Sequence, residues 1–266
     1  MNVVIPLAGK GSRFLNESDR NQEYKKPKPL IKIKGRIMIE WALSSFNLSE
    51  NDQLIFILRQ DHIDNFKIDD ELKKVFGDNI KILIQNTPPI GMATTCLLAK
   101  EYINNDEPLL ITDADNYMHG QRLMEEIEKN RKNIDGIIPV FYGNNTKWSY
   151  SKLNEEGYVE ETAEKLQISR NAHIGSYYFS KGKNFVWATE EMIEEGDKTN
   201  GEYYVAPVYN YLIRRGKRIV LIRPRFAHGL GTPKDVEKFI WLLENEEVEH
   251  TFNNLSGKIL IGEKDN

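Results

Sequence analysis

Apolar residues fall in short unbroken runs separated by polar turns. Val3-Val4-Ile5-Pro6-Leu7 is stopped by Gly9, and Leu54-Ile55-Phe56-Ile57-Leu58, Ile82-Leu83-Ile84 and Leu109-Leu110-Ile111 repeat the pattern. Runs this short, apolar at successive rather than alternate positions, predict strands buried on both faces. Elsewhere the period lengthens. Met38, Ile39, Ala42, Leu43 and Phe46 share one face at helical spacing, and residues 92–102 (MATTCLLAKEY) also read as a helix. The order strand, helix, strand, helix, strand, helix, strand predicts a mostly parallel sheet covered on both faces, a Rossmann-like three-layer α/β/α fold. The second half is more mixed. Gly136–Phe141 predicts a strand, Ser149–Leu153 and Tyr158–Glu161 extended segments about a turn at Asn154–Gly157, and His173–Phe179 another strand. Residues 183–194 and 234–245 carry helical patterns, and no repeat or linker divides the 266 residues, so one domain is expected.

Composition narrows the function. With 29% of residues charged and no apolar stretch near eighteen residues, no membrane span is expected. The start, MNVVIPLAG, has no secretory pattern. A single cysteine, Cys96, excludes an internal disulfide and a CxxC metal site, and the expected compartment is the cytoplasm. A net charge of −4 argues against a nucleic-acid partner, so any anion must meet a local basic cluster.

Such a cluster is present. LAGKGSRF, residues 7–14, is a turn in which Gly9 and Gly11 permit backbone conformations that point amide N–H groups inward, and Arg13 adds a planar charged donor pair. Its spacing fits neither familiar cradle. Phe14 stands where the dinucleotide fingerprint needs glycine, and Gly11-Ser12-Arg13 replaces the end of a Walker loop. Between Lys25 and Arg36 more cations follow. Lys32 and Lys34 read as the wet side of a half-exposed strand, whereas Lys28 is clamped between Pro27 and Pro29, which order the backbone and aim its ammonium. In open sheets ligands bind beyond the carboxyl ends of the strands. The glycine turn, Gln85 and the Asp113–Asp115 turn each follow a predicted strand, so all three are expected at one crevice. ITDADN, residues 111–116, fits either a divalent-cation site or a turn stabilised by Asx hydrogen bonds.

LAGKGSRF, PKPLIKIKGRIMIEW and the aspartate turn after PLLIT, followed in order by GYV, AEK, HIGSYYF, NGEYYVAPVYN and GLGTPKD, resemble the nucleotidyltransferase family that condenses sugar 1-phosphates with nucleoside triphosphates. The likeness covers roughly residues 1–240 and implies the nucleotide-diphospho-sugar transferase type of fold. It assigns residues 1–130 mainly to the nucleotide and 131–245 mainly to the acceptor, with 246–266 as a tail. By resemblance, Leu7, Ala8, Gly9, Gly11 and Arg13 hold the nucleotide, Lys28 contacts the α-phosphate, and Gln85 and Gly91 read the base. Asp115, with Asp113 as an additional candidate, binds Mg2+; Glu164, Lys165, Gly175 and Glu202 face the acceptor.

The family's frequent second metal ligand aligns with Gly229, so that ligand is missing or displaced, with His228 beside it as a substitute to be tested. Cys96 falls in an apolar helix without a histidine partner pattern and reads as core. The implied activity is transfer of a nucleotidyl group from an NTP to a phosphorylated acceptor, first a sugar 1-phosphate, in surface polysaccharide synthesis. The alternative is a cytidylyltransferase using CTP and a non-sugar phosphate or phosphonate. A D-x-D glycosyltransferase and a non-catalytic nucleotide-binding module are the rivals. A homo-oligomer is compatible with the sequence.

Overall fold

A computed structural model gives the fold, and it describes residues 1–9, 11–130 and 133–245; the expected tail at 246–266 lies outside them. The four apolar runs form the strands Asn2–Pro6, Gln53–Arg59, Lys81–Gln85 and Leu109–Thr112. They pair in parallel, with Asn2–Pro6 between Leu109–Thr112 and Gln53–Arg59, and Lys81–Gln85 outside Gln53–Arg59. All four carboxyl ends therefore reach the same edge of the sheet.

The second half extends this sheet by antiparallel pairing. Ser176–Phe179 lies between Leu109–Thr112 and Gly136–Tyr142, and Asn171–His173, Ser149–Leu153 and Val159–Glu164 continue outward from there. Ile219–Ile222 joins Gly136–Tyr142 in parallel. The sheet is thus mixed with a parallel core, and it runs without a break through both halves of the chain.

Burial on two faces explains the unbroken apolar runs. Val3 and Ile5 enter one core with Leu43, Phe56 and Leu72, while the intervening Val4 enters the opposite core with Ile55, Cys96, Phe185 and Leu212. Alternate side chains of a strand point to opposite faces, and helices cover both here. Cys96 is fully buried and its thiol is pushed well up by burial, which fits the core reading.

Three sequence expectations change in detail. The helix over 92–102 is two, Met92–Leu97 and Lys100–Ile103, because Ala99 leaves helical backbone between them. The strand His173–Phe179 divides at Gly175, whose φ of 97° no strand maintains. The IKIK segment is a hairpin, Lys32–Ile33 against Arg36–Ile37, with Lys34 and Gly35 both at positive φ in the tight turn. Lys32 and Lys34 are exposed, as their spacing predicts.

Elements without a strong sequence signal supply the rest. Asn116–Met118 pairs with Ala227–Gly229, and this small ladder packs with Phe14, Trp41 and Phe239 in a third, aromatic core. That core ties the helix Pro233–Glu244 to the segment just after the glycine turn. Among the described residues no helix is long and apolar enough to cross a membrane.

Candidate active site

The strand order Lys81–Gln85, Gln53–Arg59, Asn2–Pro6, Leu109–Thr112 lays three predicted groups along one edge. Gln85 ends the outer strand, the glycine turn follows Asn2–Pro6, and Asp113 follows Leu109–Thr112. At about 4.8 Å per strand step, Gln85 lies roughly 10 Å from the glycine turn, and the aspartates lie one step beyond it.

At the turn, the Leu7 amide bonds to the Ile57 carbonyl at 2.8 Å, and Leu7 and Ala8 are buried. Their side chains serve the core, so only their backbone is available to a ligand. Gly9 is exposed, and Gly11, at φ 64°, precedes the single turn Ser12–Leu15 that carries Arg13. A Cβ on Gly11 would stand 3.8 Å from the Lys28 Cβ, so the prolines bring Lys28 directly beside the glycine turn. Its ammonium pairs with Asp115 Oδ2 at 2.7 Å. The lysine expected at the α-phosphate and the aspartate expected at the metal thus meet in this structure.

A cavity of about 460 Å³ opens here, lined among others by Arg13, Asp113, Asp115, Glu164 and Gly175. Asp113 sits on its floor. Burial, then the neighbouring charges of Asp115 and Glu164, outweigh the pull of Lys28 and push its carboxyl up to about 8. Gly175 has a definite reason to be glycine. Besides its positive φ, a Cβ there would lie 2.2 Å from Asp113 Oδ2, and its carbonyl accepts the Asp113 amide at 3.0 Å. The turn 227–232 closes the far side, with the Leu230 amide on the Asp115 carbonyl at 2.7 Å. Gly231 leaves room for Asp115, since its Cβ would come within 2.9 Å of Oδ2.

The residues expected to face the acceptor come from the antiparallel half. Glu164 accepts the Ser149 hydroxyl, and burial pushes its carboxyl up. His173, 3% exposed, bonds Ser151 Oγ at 2.7 Å through Nε2 and lines the same cavity. Lys165 does not reach the cavity: its ammonium bonds the Tyr204 hydroxyl and lies 4.4 Å from that ring's centroid. Glu202 is exposed in a turn with Thr199 and stands outside the cavity lining.

Two further glycines carry a reading from the resemblance. At Gly91, a base-reading position by resemblance, the space a Cβ would fill is taken by the Tyr203 backbone, 2.2 Å from its carbonyl oxygen. Chain packing and a φ of 121° both demand glycine there. At Gly229 the strand pairing sets the residue opposite Asn116, with nothing closer to its Cβ position than Asn116 Oδ1 at 4.0 Å. His228 is no substitute ligand, because its ring packs among Tyr117, Phe226 and Phe239 with centroids 5.6–6.5 Å away.

Among the described residues no group of three or more His, Cys, Asp or Glu is placed to hold a metal. The donor set is two neighbouring carboxylates on a cavity. Such a set fits Mg2+, which takes one or two carboxylates and fills its remaining positions with water and substrate phosphate.

Sequence reasoning passed over Asn116, Ser149, His173, Tyr204 and Gly231. Asn116, His173, Tyr204 and Gly231 fall inside the quoted motifs, but nothing local gives them a role; pairing of distant strands gathers them with Ser149.

A family model described as nucleotidyl transferase matches residues 3–235. The bifunctional protein GlmU of Aquifex aeolicus is 25% identical over 269 residues, covering 89% of this chain and 52% of its own. That of Thermotoga maritima is 24% identical over 218 residues, covering 79% and 44%. The chain therefore spans about half the length of these curated relatives. Among solved structures, a nucleoside-diphosphate-sugar pyrophosphorylase from Vibrio cholerae RC9 aligns with a TM-score of 0.76 at 25% identity, over 90% of this chain and 99% of that one. The inositol-1-phosphate CTP transferase of T. maritima gives 0.69 at 12% identity over 94% and 98%, a likeness of fold alone. A match that runs from the first strand into the helix Pro233–Glu244 takes in well over half of the sequence, and the protein belongs to the nucleotidyl transferase family.

Proposed function

We propose that the protein condenses a nucleoside triphosphate with a sugar 1-phosphate, giving a nucleoside-diphosphate sugar and pyrophosphate. The observation that carries this reading is the single sheet edge on which the glycine turn, Lys28 and Asp115 adjoin a cavity walled by Glu164 and Ser149. An acceptor phosphate oxygen attacks the α-phosphorus in line, the new P–O bond forms, and the bond to pyrophosphate breaks. The acceptor phosphate is ionised at neutral pH, so no side-chain base is required.

The protein's part is placement and charge. Arg13 and Lys28 offset the repulsion between two polyanions, with Lys28 leaving Asp115 for the α-phosphate. Asp115 and Asp113 would hold Mg2+, which supplies neutralisation of the triphosphate charge. Glu164, held by Ser149, is suited to a hydroxyl of the acceptor. Lys165 would swing from Tyr204 to the acceptor phosphate, and Glu202 lies near enough to Tyr204 to follow it.

The test is a pyrophosphate-release screen with Mg2+ that crosses the four NTPs and dTTP with sugar 1-phosphates, small phosphate monoesters and phosphonates. Signal with sugar 1-phosphates supports the reading; signal only with non-sugar acceptors replaces the acceptor class. Release of a nucleoside diphosphate from a nucleotide sugar, with no pyrophosphate formed anywhere, would falsify nucleotidyl transfer in favour of glycosyl transfer.

A further inference from the structure

Asn116 follows Asp115 directly, opens the strand Asn116–Met118 and lines the same cavity. Its NH2 group faces the carboxylates. Nδ2 stands 3.4 Å from Asp115 Oδ1, and 2.9 Å from the place a Cβ on Gly175 would take, a place that Asp113 Oδ2 crowds from the other side. An amide that turns its nitrogen one way turns its oxygen the other. That other way lies Gly229, the partner of Asn116 in the ladder, and Asn116 Oδ1 at 4.0 Å is the nearest atom, outside the chain neighbours, to the Cβ that Gly229 lacks. Gly229 is exposed and lines the cavity too, so the space before it is open. Among the described residues no group donates a hydrogen bond to Asn116 Oδ1. A neutral oxygen donor with free lone pairs thus stands beside the Asp115 carboxylate, at a gap left by a missing side chain.

We propose that Asn116 Oδ1 is a protein ligand of the divalent cation and fills the place of the side chain that Gly229 does not have. The inference rests on the nucleotidyl-transfer reading and on the cation that Asp115 would hold. A small hard cation takes oxygen donors, and a carbonyl oxygen serves it alongside carboxylate, water and phosphate. Being neutral, the amide leaves more of the cation's charge for the triphosphate than a second carboxylate at position 229 would. The rivals on this wall are already engaged. His228 is packed among aromatic rings, and Asp235 Oδ2 accepts the Thr232 hydroxyl at 2.6 Å at the start of the helix Pro233–Glu244.

The experiment is titration of the intact protein with Mn2+, standing in for Mg2+, followed by loss of the free-ion electron paramagnetic resonance signal. Asn116→Ala, with folding checked by a thermal melt, should weaken Mn2+ binding by at least about tenfold. Adding Gly229→Asp to that variant should restore binding, because a carboxylate then enters the gap from the opposite strand. Asn116→Asp keeps an oxygen and removes the NH2, and should bind Mn2+ at least as tightly as wild type. If Asn116→Ala does not fold, Asn116→Ser, whose hydroxyl is too short to replace the amide oxygen, takes its place alone and with Gly229→Asp. Binding unmoved by loss of the amide, or not restored by Gly229→Asp, overturns the proposal. So does a loss in Asn116→Asp, which would assign the amide to holding Asp115 through its NH2. Wild type that binds no Mn2+ removes the cation and this ligand together, while pyrophosphate release by wild type decides nucleotidyl transfer separately from either.

Discussion

Lys28 shows how much a single position can disclose. Two flanking prolines announce a lysine with a fixed direction, and the structure supplies its target, Asp115 at 2.7 Å. If this ammonium meets charge developing on the α-phosphate, Lys28→Ala should lower kcat by roughly two decades or more. Turnover within a few-fold of wild type in the pyrophosphate assay would refute that role. His173 carries a second prediction, on stability. Burial lowers its imidazole from 6.5 to about 3, so in acid the unfolded chain takes up a proton that the folded one does not. Stability must therefore fall as pH drops from about 6.5 toward 3, by at most ~1.4 kcal/mol per pH unit from this group. Denaturant unfolding at pH 7 and pH 4.5 should show a smaller loss for His173→Gln than for wild type; equal losses would exclude His173 as a source. His173 opens the HIGSYYF motif, but nothing there marks it as buried, because its burial comes from strands far along the chain.

Among the secondary-structure elements, Gly175 is where strand geometry and site chemistry meet. Periodicity carries the strand through 173–179, yet the break at Gly175 is what makes room for Asp113. Gly175→Ala adds a Cβ 2.2 Å from Asp113 Oδ2 at φ 97°, and is expected to cost on the order of 1–3 kcal/mol and to displace the aspartate. A denaturation midpoint and a pyrophosphate rate both unchanged in that variant would show that the site tolerates the intrusion. The small ladder of Asn116–Met118 with Ala227–Gly229 was illegible for a related reason. Three-residue strands carry too little pattern to be seen, and this pair is held by the aromatic core under it. By contrast the four parallel strands were plain in sequence, since burial on both faces leaves an apolar run that few other structures require.

For the molecule as a whole, the decisive property under the proposed function is that one sheet would serve two substrates. The parallel half brings the glycine turn, Gln85 and the aspartates to a common edge, and the antiparallel half adds the wall with Glu164, Ser149 and His173. The cation that Asp113 and Asp115 would hold is expected to be needed for turnover: chelation should abolish pyrophosphate release and added Mg2+ should restore it. Full activity in excess chelator would remove the metal from the reading. The sequence by itself determined the layered α/β architecture and the positions of Arg13, Lys28, Asp113 and Asp115, because buried runs, prolines and paired carboxylates act locally and leave a local mark. Only the tertiary structure decided that Lys28 meets Asp115, that Gly91 and Gly175 are glycines to admit other parts of the chain, and that His228 is packed away. Each of those depends on a contact between residues distant in sequence, which leaves no periodicity to read.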